Sequence, residues 1–492
     1  MKNLLIPFLL CLLHSVYAQP YFSKNYHVSY NDAGWNVLAL EDGILILDVS
    51  TCEGPTTCTS LLKTDFEGNL IWEVLLDSLR VANGNNILAD SSGIYLAMYK
   101  KGIIDPLNVR LLKFDHHGNL VKYKRIGDGL DLELPLSMNW HHGQLLLSLD
   151  ERFGDTTQTH MAFYTTDFDS VKTIPFVRDL GGTSSKFDIA MNGDLYHIRS
   201  INFLDGKTAK VIKTDGDGYI YWQKQFEKSI SNFATSLALL PDGGCVTHWN
   251  KNATVWSEDT FEIVDYVVKL DADGNELWRH HFYDRNQHII YHLLATENGD
   301  IVGCGQFNYF ALPSEPDSSF VGSWIFRLDG NGQLKWIRHF NDTRYESIQL
   351  LYSGTELTNL DLAFTGRIGF FGPPEGGNAW LLKIDSMGCI TSGCGEYQTI
   401  VSAPDIPDSG LLFTLHPNPG TIATEIQLPQ PAPGDCQIAV YNLLGRLVEQ
   451  QTVPEGALTH PLALHGYSSG VYLVVVYERQ KVVGRARLVV QR

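Results

Sequence analysis

The stretch VVKLDADGNELW, Val267 to Trp278, reads as a strand, a tight turn and the start of a second strand. Val267 and Val268 are strand formers, Asp271 can bond its own backbone in the turn, and Gly274 supplies the positive φ that such turns need. The same wording recurs along the chain. It stands at Asp65 (LLKTDFEGNLIW), Asp115 (LLKFDHHGNLVK), Asp167 (FYTTDFDSVKTI), Asp215 (VIKTDGDGYIYW), Asp329 (IFRLDGNGQLKW) and Asp385 (LLKIDSMGCITS), which makes seven copies with Asp271. A second series of turn glycines alternates with it at Gly43, Gly93, Gly143, Gly193, Gly243, Gly299 and Gly354, with separations of 50, 50, 50, 50, 56 and 55 residues.

Two hairpins per unit of some 50 residues, without helical periodicity, predict four-stranded sheets repeated around an axis. The expected fold class is therefore all-β: a seven-bladed β-propeller, followed by a small antiparallel β-sandwich. A Trp follows the turn Asp by seven residues at Trp72, Trp222, Trp278 and Trp336, placed to wedge between neighbouring blades. After Asp385 no apolar fourth strand follows, whereas Tyr21 to Tyr30 (YFSKNYHVSY) reads as a strand without a repeat of its own. The amino-terminal segment is expected to complete the seventh blade and remove its open edge.

From turn Gly to turn Asp the lengths are 22, 22, 24, 22, 28, 30 and 31 residues, so the second-to-third connections of the last three repeats are expected to be long. They carry Trp256, Phe261, Tyr309, Phe310, Phe320, Phe370 and Phe371, an aromatic set suited to binding a glycan or protein. The alternative is that these rings pack on one another to hold the loops.

The chain has 492 residues and a formal charge of −18. From Leu411 onward six basic residues face five acidic ones, so the first 410 residues carry −19, a field that repels phosphate backbones and argues against nucleic acid as a partner. Lys2, the apolar run Leu4 to Leu13 and Val16-Tyr17-Ala18 read as a cleavable signal peptide. No later apolar run is long enough for a transmembrane segment. The expected domains are the signal peptide 1–18, the propeller 19–400, a proline-bearing linker 401–410 and a C-terminal domain 411–492. In an oxidising compartment Cys52 with Cys58 and Cys389 with Cys394 are candidate disulfides, and Cys245, Cys304 and Cys436 read as buried thiols.

Several patterns resemble chemistry without its context. The Asp-x-Asp turns, as at Asp271 and Asp273, lack the later acidic ligand of a calcium loop, and Gly466 to Gly470 matches G-x-S-x-G without a following helix. His116/His117, His141/His142 and His280/His281 are adjacent pairs expected to point to opposite faces. No metal site and no cofactor are expected.

The C-terminal stretch carries Pro417-Asn418-Pro419, then Ile438 to Asn442 with Gly445-Arg446, then Ser469-Gly470-Val471-Tyr472-Leu473-Val474 and Lys481. These ordered motifs resemble the type A sorting domain of type IX secretion in Bacteroidetes; His416 departs from the aromatic usual before the P-N-P. The resemblance implies an Ig-like sandwich, passage through the periplasm, recognition by the outer-membrane translocon as partner, removal of the domain, and release or attachment of the cargo outside the cell. The repeats look like the K-x-D-x-x-G-N-x-x-W units of secreted Bacteroidetes proteins, a group with no single activity. They are less similar to quinone-dependent dehydrogenase repeats and to the sialidase Asp-box. The expected function is a secreted or cell-surface propeller binding glycan or protein through the loops of repeats five to seven. The alternative is a propeller enzyme, hydrolase or quinone-dependent, with its site in the central funnel, which converging carboxylates or arginines would favour.

Overall fold

The computed structural model describes residues 21–491 apart from 27–29, 52–56, 77, 82–83, 101–107, 127–131, 154–155, 181–182, 204–205, 229–235, 254–261, 283–286, 310–319, 342–347, 370–376, 392, 400–412, 429, 435, 443–446 and 479–480. The expected signal peptide and linker lie outside the described residues. The chain divides into two compact units, Met1–Val401 and Ser402–Arg492.

Among the described residues the first unit is built of strands and turns, in seven sheets that are antiparallel apart from one added parallel strand. The first sheet runs Tyr30–Leu40, Gly43–Thr51, Thr57–Thr64 and Leu70–Leu76, in chain order. Its middle strands are covered on both faces, and Ile44, Leu45, Ile46 and Leu47 are all fully buried. That is why they read as continuous apolar runs. The outer strand alternates between exposed and half-buried residues, because only one of its faces meets a neighbour.

The lysine-rich turns are built as their letters require. Asp65 Oδ1 accepts from the backbone of Glu67 (3.0 Å) and Asn69 (2.7 Å), while Gly68, at φ 75°, donates to Asp65 O at 3.1 Å. Two positions of the expected series are corrected. In the third repeat the turn is anchored by Thr165, whose Oγ1 accepts from Asp167 N and Asp169 N, and Phe168 takes the positive φ that Gly takes elsewhere. In the seventh, Gly354 lies inside strand Ile348–Glu356 opposite Phe364, and the turn is Leu357 to Asp361 with Leu360 at φ 67°. In both turns a residue other than glycine, Phe168 or Leu360, bears the positive φ. The seventh repeat's connection, 370–376, is consequently no longer than the second's, 101–107.

Neighbouring repeats lock through the expected tryptophans. Trp222 Nε1 donates to Ala272 O (2.9 Å) and Trp278 Nε1 to Gly330 O (3.1 Å), each ring lying flat on the turn glycine of the next repeat. A Cβ on Gly274 or Gly332 would come within 2.7 Å of those indoles. The seventh sheet, Ile348–Glu356, Leu362–Gly369 and Gly377–Ile384, takes its fourth strand from Phe22–Tyr26, with Phe22 opposite Lys383 and Tyr26 opposite Ala379. Phe22 then occupies the tryptophan's place over Gly68, and Tyr26 Oη donates to Gly68 O at 2.7 Å. The expected strand Tyr21 to Tyr30 is thus divided, since Tyr30 already belongs to the first sheet.

The inner strands are Tyr30–Leu40, Ile87–Asp90, Leu132–His141, Thr183–Ile189, Leu237–Leu239, Gln287–Ala295 and Ile348–Glu356; each lies against the next, and the last lies against the first. Side chains join them where backbone ladders do not. Asn36 Nδ2 donates to Gly84 O (3.1 Å), Asn85 Nδ2 to Met138 O (3.3 Å) and Asn139 Nδ2 to Asp188 Oδ1 (2.9 Å). Asp188 Oδ2 accepts from Leu239 N (3.4 Å), Ser236 Oγ from Leu293 N (2.8 Å) and Ser353 Oγ from Val37 N (3.4 Å), while the His292 ring bonds the Gly354 backbone.

Beyond the seventh repeat the chain folds back and Tyr397–Thr399 adds a parallel strand to Leu334–Asn341 of the sixth sheet, held by the disulfide Cys389–Cys394. Cys58 is also disulfide-bonded, and its expected partner Cys52 lies outside the described residues. Cys245, Cys304 and Cys436 are buried free thiols.

The second unit has a three-stranded sheet, Thr414–His416, Ala423–Gln427 and Thr459–Ala463, and a four-stranded one, Leu447–Thr452, Cys436–Asn442, Gly470–Glu478 and Lys481–Val490. One core that includes Ile426, Ile438, Leu462, Val474 and Leu488 draws on both. Thr414–His416 and Thr459–Ala463 were not foreseen, because exposed His, Pro and Thr dilute their apolar pattern.

Candidate functional site

Inside the first unit a cavity of about 500 Å³ is lined by inner-strand residues of several repeats. Its walls follow from one irregularity. In the first, sixth and seventh inner strands the pairing register skips a residue, between Gly34 and Asn36, Ile290 and His292, and Leu351 and Ser353. A bulge of this kind turns its extra residue out of the ladder. The extra residues are Trp35, Tyr291 and Tyr352, all three in the cavity wall. Trp35 and Tyr352 pack at 4.9 Å between ring centroids and Tyr352 and Tyr291 at 5.4 Å, which makes an aromatic ledge across three repeats.

The residue after the bulge forms a second tier, identified by register. Asn36 pairs with Leu47, Ser137 with Ser148, Lys186 with Ile198, His292 with Cys304 and Ser353 with Thr365. Asn86, bonded to Ala97, and Ser236 hold the same rung in the second and fifth repeats. Lys186 alone in this tier carries a formal charge, and both it and His292 line the cavity.

Lys186 is half-buried with its side chain at the cavity wall, and burial lowers its ammonium below the ordinary lysine range against the opposing pull of Asp188 and Cys304. Among the described residues it makes no hydrogen bond or ion pair. Asp188 is already engaged by Asn139 Nδ2, Ile189 N and Leu239 N. Burial, then Lys186, hold the His292 imidazole well below its usual value, so it is neutral. Tyr352 is pushed up to about 12 by burial and Tyr291 is raised by burial, so both are protonated phenols. Near Tyr291 the buried carboxyl of Asp265 has no hydrogen-bond partner among the described residues on either oxygen, and burial raises it well above the carboxylate range.

The residues expected to bind a ligand are elsewhere. Trp256, Phe261, Phe310, Phe370 and Phe371 lie outside the described residues, and Tyr309 and Phe320 are described only as strand ends. Sequence reasoning missed the cavity, though a signal was present: Asn36, Asn86, Lys186, Ser236 and His292 each stand seven residues before a turn glycine. The histidine pairs need one correction. The rings of His141 and His142 meet at 4.4 Å because His142 sits in the turn, at φ 49°. The turn aspartates point into their own hairpins, as Asp271 Oδ1 does to Asp273 N and Asn275 N.

In the second unit the P-N-P segment is tied to the last strand. Asn418 Oδ1 accepts from Val489 N (2.8 Å), Gly420 N donates to Val489 O (2.8 Å), and Gln491 N returns to Gly420 O (2.9 Å). Tyr472 is buried against Tyr467 at 4.9 Å, and Gly470 takes φ 155° at the strand start. Gly445 lies outside the described residues, and Lys481 begins the last strand.

This two-sheet unit coincides with a family match: residues 414–491 match the Secretion system C-terminal sorting domain. The match supports handling by type IX secretion and points to secretion or the outer cell surface. No curated protein matches the chain. Among solved structures it is similar to Drosophila semaphorin 2a, at 7% identity over 96% of this chain and 98% of that one, with TM-score 0.45. It is also similar to a protein of unknown function from Bacteroides caccae (12% identity, 63% and 94% coverage, TM-score 0.36) and to NanB sialidase from Streptococcus pneumoniae (11%, 75% and 70%, 0.38). Likeness at this level speaks for neither substrate nor partner.

Proposed function

We propose that the chain is a type IX secretion cargo whose first unit is a closed seven-bladed β-propeller acting outside the cell as a binder of glycan or protein. The match of residues 414–491 to the sorting domain carries the export reading. The pairing of Phe22–Tyr26 with Gly377–Ile384, and the contact of the last inner strand with the first, support closure. In this reading residues 1–18 direct export to the periplasm, the translocon takes the C-terminal domain, and the loop aromatics Trp256, Tyr309 and Phe370 form one binding sector. The described cavity wall is aromatic and neutral-polar around one lysine, which is the composition of a recognition pocket rather than of an acid–base pair.

Deleting Leu411 to Arg492 should trap the protein in the periplasm, read by fractionation and immunoblotting, and undiminished export would overturn the export reading. Glycan-array binding by the full chain should fall when Trp256, Tyr309 and Phe370 are changed to Ala. Unchanged array signals would remove the loop sector.

A further inference from the structure

We propose that the cavity around Lys186 binds a carboxylate-bearing sugar, a uronic acid residue of an acidic glycan, with the ammonium on the carboxylate and the Trp35–Tyr352–Tyr291 ledge against the sugar ring. The proposal rests on the ligand-binding reading above but places the site on the inner strands.

The first argument is the exception that Lys186 makes to its own repeat. The same rung is held by Asn36, Asn86, Ser137, Ser236, His292 and Ser353, all small or neutral. Four of these tie one repeat's inner segment to the next: Asn36 to Gly84, Ser236 to Leu293, His292 to Gly354 and Ser353 to Val37. In the fourth repeat Asp188 has taken over that task, accepting from Asn139 on one side and Leu239 on the other. Lys186 is therefore free of structural duty. A half-buried cation whose side chain has no ion pair or hydrogen bond among the described residues costs stability unless an anion meets it. Its neighbour His292 is neutral and cannot serve.

The same cavity is also lined by the aromatic ledge. Three ring-bearing side chains from successive repeats stand at bulges, where the ladder does not demand them, and their rings meet tilted, at 37° and 47°. Aromatic faces of this kind cover the C–H face of a pyranose. Asn85, Thr355 and Ser353 bring neutral hydrogen-bonding groups to the same space. A cavity of about 500 Å³ suits one or two sugar rings. One charge and several aromatic faces within one cavity match the carboxylate and the C–H face that a uronate presents.

The full chain would be titrated calorimetrically with digalacturonic acid, its dimethyl ester, neutral galactobiose and a Glu-Phe dipeptide. Digalacturonic acid should bind at least roughly tenfold more tightly than its ester or galactobiose, since a charge-assisted hydrogen bond is lost in both. Lys186→Met should weaken it roughly 10- to 100-fold. Lys186→Ser, which installs the residue of three sister repeats, should fold as the parent does and lose affinity to the same degree. Equal affinity for acid and neutral sugar, preference for the dipeptide, unchanged binding in a folded Lys186 variant, or no saturable binding of digalacturonic acid would each overturn the proposal. Loss of array binding in the Trp256, Tyr309 and Phe370 variants but not in the Lys186 variants would keep the loop reading and discard this one.

Discussion

The indole of Trp35 and the phenol of Tyr352 lie with ring centroids 4.9 Å apart, one on the first inner strand and the other on the last. The contact brings together the two ends of the repeat array. One step further along the same strands, Val37 N donates to Ser353 Oγ. The join between the ends therefore also forms part of the cavity wall, so stability at the seam and shape of the site are linked.

The amino-terminal strand holds that seam. Tyr26 is buried, and its hydroxyl reaches Gly68 O. Tyr26→Ala should cost about 3–5 kcal/mol through the lost ring and the cavity left behind, and Tyr26→Phe about 1 kcal/mol through the hydrogen bond. Urea midpoints at constant m-value measure both. Equal costs for the two would show that packing at this strand contributes little.

Two glycines separate backbone strain from packing. Gly299 and Gly332 have nearly the same φ, 81° and 80°, but a Cβ on Gly299 would meet nothing within 4 Å, whereas on Gly332 it would lie 2.7 Å from Trp278. Gly299→Ala should destabilise by about 1–2 kcal/mol for the left-handed conformation alone. Gly332→Ala should cost about 1–3 kcal/mol more, because the indole must shift. Thermal unfolding of the pair gives the difference directly, and similar values would remove the wedge role of the tryptophan.

Asp48 supplies a pH dependence. Burial, then the neighbouring Asp32, push its carboxyl up to about 7. The folded chain holds this proton more tightly than the unfolded chain, so the contribution to stability is full below the unfolded value of 3.8 and is lost as pH rises to about 7. Asp48→Asn removes that loss while keeping an acceptor for Ala33 N. The variant should match the parent near pH 4 and exceed it by about 2–4 kcal/mol at pH 8, measured by unfolding at both values. An identical difference at the two values would show that this carboxyl does not titrate with folding.

The disulfide Cys389–Cys394 closes a short loop ahead of the added strand Tyr397–Thr399. Cys394→Ser should destabilise that segment by about 2 kcal/mol. Amide exchange would localise the effect: His339 N, which donates to Glu396 O at 2.8 Å, should lose protection while the inner strands keep theirs. Uniform loss across all repeats would mean that the segment supports the whole unit.

Much of the strand plan was legible because each turn has a local cause. Asp271 and Gly274 make their hairpin from neighbouring groups alone, so their letters report it faithfully. The reading slipped where another residue bore the same conformation, at Phe168 and Leu360, and where a glycine served close packing instead of a turn, as Gly354 does against Phe364. The added strand Tyr397–Thr399 went unseen because three residues pairing with a distant edge leave no periodicity.

The amino-acid order by itself determined the hairpins and the sorting motifs, which rest on short-range chemistry or on direct resemblance, and the tryptophan wedges and the seventh sheet's amino-terminal strand, which follow from the period of the repeat. Tertiary structure alone decided which residues share the cavity. Trp35, Lys186, His292 and Tyr352 come from four repeats, and register skips in the first, sixth and seventh inner strands turn Trp35, Tyr291 and Tyr352 out of their ladders. A bulge depends on how two strands pair, not on the letters of either, so that wall becomes readable only once the sheets are formed and set side by side.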